Sequence, residues 1–131
     1  MSAIDFEAWA VPPLTLTLND HTYVVEPPDV LRATKLLAAA VQFEINLGIA
    51  AGPLPDSLAK VLETITADQH PALGEAVYAQ MLKDKQPQQV IDRFAFFATF
   101  YWVSGQEYAT KLAHDLWDRQ GAGAGGGAPK D

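Results

Sequence analysis

The stretch "LTLTLNDHTYVVEPPDVLRATKLLAAAVQFEINLG", Leu14 to Gly48, decides the fold, because its hydrophobic period changes once. From Leu14 to Leu18, Leu and Thr alternate, the period of a strand with one buried face. Asn19 to His21 supply turn residues, and "TYVVE" resumes a β-branched and aromatic run. Pro27 and Pro28 cannot continue a ladder, so the strands form one β-hairpin. A lone hairpin is marginal in water, so this one must lie on helices or on another copy of itself. Pro28 and Asp29 then open a long helix to about Gly48, on which Arg32, Lys35, Ala39, Gln42 and Asn46 share one narrow arc. The rest of that helix is apolar, which predicts a central helix buried on most sides. Glu44 interrupts the apolar arc and is expected to reach water or a partner such as Arg93 near the helix end, or else to make a polar contact at an interface.

Downstream, "GPLP" (Gly52–Pro55) breaks the helix. A short second helix follows from about Asp56, with Leu58, Val61, Leu62 and Ile65 as its stripe. In "TADQHP", Asp68 is a candidate cap and Pro71 suits the first turn of a third helix carrying Leu73, Val77 and Met81. "KDKQP" ends that helix, and Pro87 starts the aromatic "PQQVIDRFAFFATFYWVSG". There Val90, Phe94, Phe97 and Tyr101 make one stripe, flanked by Ile91, Ala98 and Trp102. Phe96, Phe100 and Val103 make a second. Two apolar faces mean that this helix is either wedged between two others or offers apolar surface to another chain. After Gly105 a fifth helix turns Ala109, Leu112, Ala113, Leu116 and Trp117 inward. The fold class expected is mainly α: an N-terminal β-hairpin, then a compact bundle of about five helices. Residues 1–13 read as an N-terminal arm, 14–119 as a single helical domain, and 120–131 as a tail. "GAGAGGG" offers the tail no side chains to bury, which makes it a disordered, Gly-rich linker.

Composition narrows the function classes. At 131 residues the chain can bury a core without staples; 49% hydrophobic and 19% charged residues describe a packed globular domain. The absence of cysteine removes disulfides, thiolate metal sites and a thiol nucleophile. A net charge of −7 with scattered basic residues argues against nucleic acid as a partner. Arg32, Lys35, Glu44 and Asn46 interrupt the most apolar stretch, which argues against a membrane span. His114 with Glu107, Lys111 and Asp118 at one-turn spacings reads as a solvated helix face, since no second His stands three or four residues away. Ser2, Ser57 and Ser104 lack a nucleophile-elbow context, and no strand precedes "GAGAGGG" to make it a phosphate loop. Nothing calls for a cofactor or a metal, and an enzyme requires a cleft that brings His70 or His114 to distant carboxylates. A binding or assembly protein remains, with Phe96, Phe100 and Val103 as partner-binding candidates and Trp9 with Phe6 as arm anchors.

The layout resembles the tail assembly chaperone family of long-tailed (siphovirus-type) actinobacteriophages. Three features carry the resemblance: "LTLTLNDHTYVVEPPD" running into a long helix, "LGEAVYAQML" (Leu73–Leu82), and the aromatic helix leading to "WVSGQEYATKLAHDLW" with Gly105, Ala109 and Trp117 at the family's Gly, Ala and Trp positions. The family usually continues "MLKD" into a Gly-containing turn, whereas Lys85 and Gln86 stand there in this chain. The resemblance implies a non-enzymatic protein that coats the tape measure protein and keeps it soluble while the tail tube assembles. It implies a longer form, made by programmed ribosomal frameshifting near the glycine codons, that recruits the tail tube protein. It also implies residence in the host cytoplasm and absence from the mature virion. From a different class, a small homo-oligomeric helical adaptor or regulator, self-associating through the hairpin edge and the aromatic helix, fits the same pattern.

Overall fold

In the computed structural model, which describes residues 10–66 and 69–118, the Leu/Thr alternation becomes strand β1 (Leu14–Leu18), paired antiparallel with β2 (His21–Val25). Leu18 faces His21 across a two-residue turn in which Asn19 takes φ +55°, a left-handed conformation that Asn tolerates. Leu14, Leu16, Tyr23 and Val25 are buried, while Thr15, Thr17, Thr22 and Val24 face outward. The hairpin therefore lies on the helices of its own chain, and five helices follow: α1 (Val30–Asn46), α2 (Asp56–Glu63), α3 (Glu75–Lys83), α4 (Gln88–Ser104) and α5 (Gln106–Ala113). A single π-helical turn, His114–Asp118, extends α5. The arm residues 1–9, Asp68 and the tail lie outside the described residues, so the expectations placed on them have no structural counterpart here.

Two apolar clusters meet on α4. In one, the inner face of the hairpin packs with Leu36 of α1, Leu73, Met81 of α3, and Ile91 and Ala98 of α4. In the other, Phe100 of α4 packs with Ala40 of α1 and with Ala109 and Leu112 of α5. The aromatic helix is thus wedged between partners, as one of its two readings required. Thr99 also lies on the buried side, where its hydroxyl donates to the Ala95 carbonyl at 2.7 Å and leaves no polar group unpaired.

α1 departs from expectation. Only Leu36, Ala38 and Ala40 are buried along it, whereas Val30 is 80% exposed, Leu31 75% and Leu37 46%. The arc expected to face water instead faces the loop before α3: Arg32 Nε donates to the Pro71 carbonyl at 2.9 Å and Lys35 Nζ to Gln69 Oε1 at 3.1 Å. A helix that is apolar on most sides does not specify which side is covered; here the hairpin and α4 take one flank and the 69–71 loop the polar arc. Glu44 does find a partner, the Tyr108 hydroxyl, from which it accepts at 2.8 Å. Pro71 sits in a turn ahead of α3, not in its first turn, and the helix begins at Glu75.

Glycines set two of the helix starts. Gly74, before α3, and Gly105, between α4 and α5, have φ +85° and +99° with ψ 156° and 164°, a region almost closed to L side chains. Lys85, at φ +59°, ends α3 in the position where a glycine would be unstrained. The hairpin is tied to that end of α3 by a polar clamp. The Tyr23 hydroxyl donates to Asp84 Oδ2 at 2.8 Å and accepts from Gln86 Nε2 at 2.9 Å, while Gln80 Nε2 donates to Asp84 Oδ1 at 2.9 Å. The Tyr23 bond holds the Asp84 carboxyl below the usual carboxylate range, against the opposing effect of burial.

A depressed native pKa contributes stability that is present above the unfolded value and disappears as pH falls through the native one. Denaturant unfolding should therefore show Tyr23→Phe costing more at neutral pH than at the acid end of the carboxylate range; an equal cost at both would mean the clamp acts only through packing. In thermal melts, Gly105→Ala should lower stability by about 1–3 kcal/mol, and Lys85→Gly should raise it by up to about 1 kcal/mol.

Candidate functional site

Between α1 and α4, beside Ile65 and the residues 69–72 ahead of α3, a groove of about 460 Å³ opens. α1 contributes Leu36, Ala39 and Phe43, the residues before α3 Ile65 and His70, and α4 Asp92, Ala95 and Phe96. The walls are mostly hydrocarbon because these side chains are mostly apolar, and the small Ala39 and Ala95 leave the gap between the two helices open. Phe96 stands at the rim. Its ring centroid is 5.1 Å from Phe43, 5.0 Å from Phe100 and 6.0 Å from Trp117, all in tilted arrangements. On its far side a second depression of about 410 Å³ is bounded by Arg93, Leu116 and Trp117, and Arg93 lies 5.2 Å over the Trp117 ring. Phe96 and Asp92 belong to both, so the two depressions adjoin across α4.

His70 stacks on Tyr78 with centroids 3.9 Å apart, and burial pushes its pKa down despite the Asp92 carboxylate nearby. It is therefore a neutral ring at neutral pH. His70 and Asp92 do share the groove, the kind of approach an acid–base site needs. No ion pair joins them among the described residues, however, and Asp92 accepts from Gln88 Nε2 at 2.8 Å. The Thr99 hydroxyl beside them is occupied by its own helix backbone. His114 pairs with Asp118 on the exposed side of the last turn. Among the described residues no group of three His, Asp or Glu side chains could hold a metal ion, and no helix is long and apolar enough to cross a membrane. What the arrangement offers is a hydrocarbon-lined groove with one imidazole and one carboxylate among its lining residues.

The residues singled out from sequence separate in space. Phe96 lines the groove and is half-buried. Phe100 is 1% exposed and packed against Ala109 and Leu112, which corrects its assignment to a partner-facing surface. Its ring meets Phe43 at 6.2 Å and Tyr108 at 5.7 Å, so α5 covers the position that helical spacing had aligned with Phe96. Val103 lies apart, in a depression of about 210 Å³ beside Leu37 and Trp102. Phe6 and Trp9 lie outside the described residues. Sequence reasoning missed Phe43 and Ile65 as groove residues and named His70 only as a group that a cleft would have to bring to a carboxylate; the three belong to different segments and share no spacing.

These placements separate two phenylalanines four residues apart. Phe100→Ala should cost about 3–5 kcal/mol in denaturant unfolding. Phe96→Ser should cost less than half as much while reducing binding of an apolar fluorescent dye; equal losses at both positions would place Phe96 in the core.

No curated protein and no solved structure matches this chain. Residues 4–130 match a family described as "Domain of unknown function (DUF7426)", a span that takes in the hairpin, all five helices and the groove between them. The protein is a member of the DUF7426 family.

Proposed function

We propose that this protein is a phage tail assembly chaperone that binds apolar stripes of the tape measure protein in the groove beside Phe96 and keeps that protein soluble until the tail tube closes around it. The observation that carries the reading is the apolar groove itself, set on a body of net charge −7. An amphipathic helix laid into such a groove hides its hydrophobic face, while the acidic exterior keeps the complex in solution. Displacement by tube subunits demands a modest affinity. The reading is non-enzymatic and needs no cofactor or nucleic acid. It places the protein in the host cytoplasm and outside the mature virion, and it gives the glycine-rich end the role of a frameshift-generated linker to a domain that recruits the tail tube protein.

A second reading, a homo-oligomeric adaptor, is favoured by one observation: Val30, Leu31 and Leu37 leave an uncovered apolar edge on α1. Co-expression separates the two. A tape measure protein that is insoluble alone should become soluble with this chain and precipitate again with Phe96→Asp. A soluble partner with both forms, or a monodisperse oligomer that never engages it, overturns the chaperone reading. An immunoblot of the native gene with its downstream DNA should also show a minor longer band that disappears when the glycine codons are recoded synonymously.

A further inference from the structure

One end of the apolar groove is polar. Gln69, His70 and Pro71 line both the groove and an adjoining pocket of about 290 Å³, whose other walls include Arg32, Lys35 and Gly74. Arg32 is held there by its Nε bond to the Pro71 carbonyl, but its Nη2 is buried without a hydrogen-bond partner. Among the described residues no carboxylate forms an ion pair with Arg32 or Lys35. Asp29, the N-cap of α1, accepts the Arg32 backbone N–H at 2.9 Å and partly offsets the guanidinium charge from the pocket's edge without an ion pair. Glu75 borders the pocket but is exposed.

The surroundings make this cation's position unfavourable as it stands. A Cβ on Gly74 would sit 3.7 Å from the Arg32 guanidinium carbon and from Nη2, so the guanidinium lies against the start of α3. Gly74 is the N-cap of α3 and no side chain caps that end. The first-turn N–H groups of α3 thus carry the positive end of its dipole toward a guanidinium that is itself short of an acceptor. Lys35 Nζ adds a third set of donors, of which one reaches Gln69. Three sources of positive potential converge beside this buried donor, partly offset by Asp29 and Glu75 at the pocket's edge, and an anion toward which the guanidinium turns would relieve all three.

We infer that this corner is a carboxylate-binding site, and that the helical segment bound in the groove carries an Asp or Glu at the end of its apolar stripe, received by Arg32, Lys35 and the first-turn amides of α3. The inference rests on the groove reading given under Proposed function. A planar carboxylate suits the guanidinium fork, and its single charge is tolerated beside Asp29 and Glu75, whereas a doubly charged phosphate is repelled by them. On a body of net charge −7, an acidic residue in the partner is disfavoured over most of the surface and favoured here, so the pair sets the register of the bound helix.

The test uses the full chain and two amphipathic helical peptides of about 20 residues, identical except for Glu or Gln at the end of the stripe, titrated by calorimetry. The Glu peptide should bind about tenfold tighter or more, and Arg32→Met should remove that difference while Phe96→Asp weakens both peptides alike. Equal affinities for the wild-type chain, or a preference that survives Arg32→Met, overturns the carboxylate site and leaves the groove intact. Lys35→Met, which leaves the Arg32–Pro71 bond in place, serves the same purpose should Arg32→Met unfold: it should at least halve the preference, and an unchanged preference counts against the site. If neither peptide binds, the groove reading fails. Acetate and inorganic phosphate, titrated singly and followed by NMR at Arg32 Nε and the Glu75 amide, then decide the corner by itself. Saturable shifts with acetate support it; shifts with phosphate alone, or with neither, overturn it.

Discussion

The burial of α4 on two sides is the constraint on which the rest of the structure depends. A 17-residue helix that carries Ile91, Ala98 and Phe100 fully covered cannot be satisfied by a single neighbour, because these residues do not share one face. Ile91 and Ala98 close the cluster beneath the hairpin, and Phe100 closes the one against α5. The hairpin and α5 are thereby placed on opposite sides of one helix, and α1 spans both clusters through Leu36 and Ala40. Gly105 makes this arrangement reachable. Its conformation lets the chain reverse within one residue, so that α5 folds back on the helix it has just left.

The groove follows from the same arrangement. With two flanks of α4 covered, the remaining sector between α1 and α4 is bordered, among the described residues, by Ile65 and by residues 69–72 ahead of α3, which do not fill space as a helix does. Phe43 and Phe96 approach each other at its edge but leave a hydrocarbon-lined gap. The 69–72 segment in turn is pinned by Arg32 and Lys35 of α1, which reach Pro71 and Gln69, and this draws the two cations to the end of the groove. Apolar walls and a cationic end therefore have one origin: the same segment shapes both.

Polar contacts in this fold act mainly as registration between elements. The Tyr23–Asp84–Gln86 clamp joins the hairpin to the end of α3, and the Tyr108–Glu44 bond joins α5 to α1. Each anchors a partly covered carboxylate, and Asp84 shows the electrostatic consequence in its lowered pKa. Hydrophobic burial holds the helices together without fixing how far one slides along another; directional bonds supply that information.

Local chemistry in the sequence was enough for the elements and their order. The Leu/Thr alternation, Pro27–Pro28, "GPLP", Pro87 and Gly105 are short-range signals, and each acts on the backbone within a few residues. They also stated that α4 has two apolar faces. Which face would be covered, and by what, was decided only by tertiary packing: α5 buries Phe100 while Phe96 stays at a rim. On α1 the same ambiguity resolved against expectation, with Arg32 and Lys35 turned to a loop and Val30 and Leu31 left in water. Periodicity reports that a side chain is on a given face of a helix, but the free energy of covering that face depends on surfaces dozens of residues away. The groove and its polar corner, assembled from α1, Ile65, residues 69–72, the start of α3 and α4, exist only in the fold for that reason.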